Sequence, residues 1–89
     1  MKLIRSQDKL SVINTKYIFQ ISIEESIIED DDGDEIEEYD IDIYFDFKED
    51  NWTQTVASYR SRDECIRNMD RLVAFLGSST PTGVFDMPS

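Results

Sequence analysis

The chain has 89 residues, of which 39% are hydrophobic and 11% aromatic, enough for one modest core and one domain. It carries 20 Asp plus Glu against 9 Lys plus Arg, for a net charge of −11, and it has no His and a single Cys. That balance argues against binding nucleic acid through phosphate neutralisation and against docking on anionic lipid. It also removes the commonest general base and metal ligand, an internal disulfide and a thiolate zinc cluster. No apolar run approaches the length of a membrane span, and the N-terminus lacks a signal-peptide core.

Lys2 to Arg5 reads as a short first strand, followed by a polar turn at Ser6-Gln7-Asp8-Lys9 and a second β-type run from Leu10 to Ile13. From Tyr17 the period is 2: Tyr17, Phe19, Ile21 and Ile23 fall on one face of a long half-buried strand. A second alternation sets Tyr39, Ile41, Ile43, Phe45 and Phe47 on one side and Asp40, Asp42, Tyr44, Asp46 and Lys48 on the other. Asp32-Gly33 between them is a hairpin-turn dipeptide, so 17–28 and 36–48 are predicted to form one antiparallel hairpin. Glu49-Asp50-Asn51 is the next predicted turn, and Trp52 to Tyr59, rich in Thr, Val and aromatics, a further strand.

The period then changes. Ser61 and Glu64 match a capping box, and Cys65, Met69, Leu72 and Leu76, widened by Ile66 and Val73, form an apolar helical stripe. A helix is predicted from Arg62 to Leu76 with Gly77 as its C-terminal cap. The fold class expected is α+β: an antiparallel meander of four to five strands covered by one C-terminal helix. The domain should span 1–77, with 78–89, which holds both prolines, an irregular tail. One helix covers only part of such a sheet, which leaves an apolar margin for a partner or a second copy of the chain.

The charge is local. Residues 24–50 hold 15 acids and one base, Lys48, whereas the rest of the chain is weakly basic. The hairpin would therefore display a column of carboxylates: Asp40, Asp42 and Asp46 on one strand face, extended by Glu37 and Glu38 and by the tip residues Asp30, Asp31, Asp32, Asp34 and Glu35. Same-face neighbours on a strand stand about 6.8 Å apart, of the order of the phosphate spacing in a nucleic-acid strand. Such a row attracts Arg and Lys forks, and the partner it suits is a basic surface of a nucleic-acid-handling protein. Tyr44, which interrupts the acidic face, is either an aromatic anchor for that partner or one half of a cross-strand pair. The plainer alternative for the whole strip is a solvated face that keeps the domain soluble.

Other sites are weaker. Asp30, Asp32 and Asp34 match alternate calcium-ligand positions, but the sixth and twelfth positions of that loop are Glu35 and Ile41, where Gly and Glu are needed. Cys65 lies on the apolar stripe with no His to activate it, and reads as core. No catalytic residue, metal site or cofactor is expected. A rival function is a module binding a small anionic molecule or nucleotide in a sheet–helix or dimer pocket through Arg5, Arg60, Arg62, Arg67 or Arg71. A structural accessory role is a third.

Ile4-Arg5-Ser6-Gln7-Asp8, the stretch Ser61 to Glu64 with Met69, Asp70 and Leu72, and Val84-Phe85-Asp86-Met87-Pro88 resemble segments of small uncharacterised proteins from bacteriophages and mobile elements of Gram-positive bacteria. The resemblance covers about half of the chain and leaves out the acidic hairpin. It implies a phage or prophage setting, action in the bacterial cytoplasm, and inhibition of a host defence or nucleic-acid-handling protein, in the manner of an anti-CRISPR protein.

Overall fold

A computed structural model describes residues 1–47 and 50–89, with the side chains of Asp46, Phe47, Asp50 and Asn51 outside the description. The elements run β1 (Lys2–Arg5), β2 (Val12–Asn14), a 3-10 turn (Thr15–Tyr17), β3 (Ile18–Glu29), β4 (Glu35–Phe47), β5 (Asp50–Tyr59), α1 (Arg62–Leu76) and β6 (Gly83–Asp86). The fold is α+β, with the helix near the C-terminus and an antiparallel sheet in the order β3-β4-β5. The strands do not form one meander of four or five. A second three-stranded sheet, β2-β1-β6, stands apart from the first.

That second sheet corrects the reading of 78–89 as an irregular tail. Gly83 to Asp86 pair in parallel with Lys2 to Arg5, and the Met87 N–H donates to the Arg5 carbonyl at 3.0 Å. Met87 is 1% exposed and belongs to the core. The tail is tied on from three sides: the Tyr59 hydroxyl donates to the Pro88 carbonyl at 2.6 Å, the Gln7 side-chain amide donates to the same oxygen, and the terminal ammonium donates to the Pro81 carbonyl. Gly83 has φ +153, and a Cβ there would meet the Phe75 ring at 3.2 Å, so the crossing of helix end and tail needs this glycine.

The helix runs from Arg62 to Leu76 as its period predicts. The Ser61 hydroxyl accepts the Glu64 N–H, satisfying one of the free donors of the first turn. At the other end Gly77 is the C-terminal cap as predicted, in the right-handed region at φ −86 with its N–H donating to the Val73 carbonyl at 2.9 Å, and the Lys2 ammonium adds to this cap. It donates to the carbonyls of Phe75, Leu76 and Ser78 at 2.7–2.9 Å, placing a positive charge where the helix dipole is negative.

Cys65 and Leu72 are fully buried against Tyr39, Ile41, Ile43, Ala57 and Tyr59 of the large sheet, and Ile4, Ile13 and Met87 from the small sheet complete the core. The stripe is narrower than predicted on one side, since Val73 is exposed, and it includes the buried Asn68.

Two bulges interrupt the ladders, and the first changes an expected face. In β3, Ile18 pairs with Phe45 and Gln20 with Tyr44, so Phe19 is an extra residue. The parity of the strand shifts there: Ile18 packs on the core together with Ile21 and Ile23, and Phe19, predicted inward, is 70% exposed. In β5, Ile41 pairs with Ala57 and Asp42 with Thr55, which makes Val56 the extra residue, and both Val56 and Ala57 are buried. The turn predicted at Glu49-Asp50-Asn51 lies partly outside the described residues, and Asp50 and Asn51 already belong to β5. Lys48 also lies outside them.

The attachment of the C-terminal segment is testable through its most buried side chain. Met87→Ala should lower stability by about 2–5 kcal/mol, the range for emptying a buried methionine site, read as a lower urea midpoint at unchanged slope.

Candidate functional site

The acidic hairpin is built by its turn. The Gly33 N–H donates to the Asp30 carbonyl, the Asp30 N–H donates to Asp34, and Gly33 takes the left-handed conformation at φ +82. This is a three-residue connection with a bulged glycine, rather than a two-residue turn centred on Asp32-Gly33. The Asp30 side chain is part of the turn, since its Oδ1 accepts the N–H groups of Asp32 and Asp34 at 3.0 and 2.8 Å. Asp30 is thereby half-buried, while Asp31, Asp32, Asp34 and Glu35 are exposed.

The register fixed by this turn spreads the charge. Across β3 and β4, acid opposes acid only at Glu24–Asp40 and Glu29–Glu35; the other acids face Ser22, Ser26, Ile27 and Tyr39. Across β4 and β5, Asp40 faces Ser58 and Asp42 faces Thr55. These neighbours donate. The Thr55 hydroxyl reaches Asp42 at 2.5 Å and the Ser58 hydroxyl reaches Asp40 at 2.6 Å. Glu24 accepts from the hydroxyls of Tyr44, at 2.8 Å, and Ser22, at 3.1 Å.

Asp40, Asp42 and Tyr44 do lie on the face opposite the core, as their alternation predicts. Asp42, however, is only 9% exposed, hemmed in on the central strand. Asp40, Tyr44 and Glu38 are half-buried, and the side chain of Asp46 is outside the described residues. Glu37 is exposed but belongs to the other face, where its carboxylate accepts the Tyr39 hydroxyl at 2.8 Å. The column of equivalent carboxylates is therefore two different things: a satisfied, sheltered stretch at Asp40 and Asp42, and an open cluster at the tip. Tyr44 makes a cross-strand contact, its hydroxyl donating to Glu24.

The electrostatics follow this division. Glu38 shares a hydrogen bond with Asp40, two residues along the same face, and is held protonated to higher pH than an ordinary Glu; burial and the Asp40 charge act in the same direction. The Tyr39 hydroxyl, bound to Glu37, is pushed up to about 12, and Tyr44 is raised by its bond to Glu24. Asp8, in the turn between β1 and β2, is shifted the opposite way, because it accepts the Ser6 hydroxyl and the Leu10 N–H. Among the described residues the salt bridges are those of Arg5 and Lys9 with Asp86, away from the hairpin.

The rival sites fare differently. Cys65 is core, its thiol 3.7 Å from the Tyr39 carbonyl and its pKa raised by burial. A groove of about 590 Å³ opens beside β2, lined by Leu10, Val12, Tyr17, Phe45 and Trp52, but none of the five arginines named for an anionic ligand lines it. Arg5 pairs with Asp86. Among the described residues no group of three or more Cys, Asp or Glu side chains is placed to hold a metal, and no helix is long and apolar enough to cross a membrane. Comparison with protein-family models, with curated proteins and with solved structures finds no match for the chain.

Two outcomes test this electrostatic map. Thr55→Val leaves the sheltered Asp42 carboxylate without its hydroxyl donor and should cost about 1–3 kcal/mol in chemical denaturation. Glu38 binds its proton more tightly folded than unfolded. Its stabilising contribution is therefore full below its unfolded value, near 4.5, and is lost as pH rises through the higher folded value. Glu38→Gln should raise the melting temperature at pH 7 and flatten the decline in stability across that window.

Proposed function

We propose that the chain is a non-enzymatic interaction protein whose hairpin tip occupies a basic, nucleic-acid-binding surface of another protein by charge mimicry. The observation that carries this reading is the placement of Asp31, Asp32 and Asp34, all exposed, on a turn ordered by the Asp30 side chain and the Gly33 conformation, with the exposed Glu35 beginning the strand beyond it. A carboxylate cluster held on ordered backbone meets an Arg or Lys groove without the ordering cost a disordered acidic segment would incur. Glu24, Glu25 and Glu29 extend the exposed acids along β3. Asp42 is not among the contacts, and Asp40 contributes only at the margin of the surface.

The resemblance of the chain's ends to phage proteins makes a host defence or nucleic-acid-handling protein in the bacterial cytoplasm the class of target to examine. Docking of this kind is steered by charge, so it should weaken steeply with salt and be competed by duplex DNA. The test is capture of DNA-binding proteins on the immobilised chain, followed by elution with DNA and measurement of affinity against salt. Replacing Asp31, Asp32, Asp34 and Glu35 by their amides should weaken binding at least tenfold with the fold intact, whereas Asp42→Asn should leave affinity within about twofold. Binding indifferent to the tip amides, or a retained partner that DNA does not displace, overturns the reading.

A further inference from the structure

We infer that the free edge of β3 pairs antiparallel with β3 of a second copy of this chain, centred on Ile21, to form a six-stranded sheet across a two-fold axis. This goes beyond the charge reading, which concerns the hairpin tip. β3 is an edge strand of twelve residues, and alternate N–H and C=O groups along it point away from β4. Its first half, Ile18 to Ile23, contains no Pro, no Lys and no charge, and the one edge-blunting device there is the bulge at Phe19. Phe19, lifted out of the core by its bulge, stands 70% exposed on this half.

Charge selects the partner and the register. The strand is apolar from Ile18 to Ile23 and carries Glu24, Glu25 and Glu29 beyond, while Lys16 precedes it. Antiparallel pairing with Ile21 opposite Ile21 sets Phe19 of each copy against Ile23 of the other, and Gln20 against Ser22. Because the bulge makes Phe19 an extra residue and keeps Ile18 on the core face with Ile23, Glu24 and Glu25 of each copy come opposite Tyr17 and Lys16 of the other. Each end of the seam then brings the ammonium of one copy alongside Glu24 and Glu25 of the other. A register centred nearer Glu24 would instead stack the carboxylates of the two copies, which is destabilising. The segment is thus complementary to itself in one alignment, as an isologous interface must be.

Sedimentation or light scattering of the full chain at about 1–100 µM reads the outcome. The expected mass is twice the 10.4 kDa of the monomer at the upper concentrations. Because two copies at −11 repel, dimerisation should strengthen as salt rises, opposite to docking on a basic partner, so the two readings stand or fall separately. Phe19→Lys, at an exposed position, should give monomer with an unchanged far-ultraviolet circular dichroism spectrum. Lys16→Glu should raise the dimer dissociation constant by at least fivefold, and the double exchange Lys16→Glu with Glu25→Lys should restore it. A chain that stays monomeric at every concentration and salt, or a dimer indifferent to Phe19→Lys, overturns the proposal; a charge exchange that does not rescue overturns the Ile21-centred register.

Discussion

The alignment in which Asp40 meets Glu24 and Ser58, and Asp42 meets Ser22 and Thr55, is what allows a strand with this much charge to lie at the centre of a sheet. A central strand has both edges paired and one face on the core, so every polar group on its other face competes for little water. β4 meets that constraint by drawing hydroxyl donors from both flanking strands. Thr55 and Ser58 serve Asp42 and Asp40 directly, and Ser22 and Tyr44 hold Glu24, the one acid on β3 that directly opposes a β4 aspartate on this face. A buried carboxylate without such donors would cost more than the neighbouring contacts return. The β3–β4 half of this alignment is set at the tip, by the Asp30 side chain and the left-handed Gly33, and the β4–β5 half carries its own register shift at Val56.

Much of this architecture is legible in the residues. The 3.6-residue period from Cys65 to Leu76 with Ser61 ahead of it locates α1 to the residue, because capping and periodicity are local signals. The alternation from Tyr39 to Phe45 likewise identifies the core face of β4. Phe19 is misread because a bulge shifts the parity of a strand without altering its composition; nothing in Ile-Phe-Gln-Ile announces which residue will be the extra one. β6 is missed for a different reason. Four residues after a proline have no period to detect, and their strand character comes from pairing with β1, about eighty residues earlier, and from burying Met87.

The candidate site was legible as a composition and only in part as a geometry. Fifteen acids in 24–50 mark the hairpin without any structure, yet Asp42 and Asp32 look alike in the chain. What separates them is position in the sheet: Asp42 lies on the central strand between Ser22 and Thr55, whereas Asp32 lies in the turn. Tyr39 is the last buried side chain of β4 toward the tip, and beyond it Glu37 and Glu35 are exposed, with Ile27 beside them. No sequence pattern reports where the covering helix stops along a sheet. The hydroxyls of Thr55 and Ser58 read only as strand-forming residues until the pairing places them against Asp42 and Asp40.

Charge therefore has two costs in this molecule, and they point to where it can act. At Asp40 and Asp42 the carboxylates are embedded in hydroxyl contacts, so a partner would have to break those contacts before gaining its own. At the tip the acids stand in water, where the high dielectric weakens their mutual repulsion and salt screens it beyond about 8–10 Å. The molecule measures 45 Å in its longest dimension, about the length of a thirteen-residue strand, so the tip lies far from the core. Removing charge there changes the field presented to a partner and leaves the packing of α1 on the sheet untouched, which is the separation between stability and recognition that a charge-mimicking surface requires.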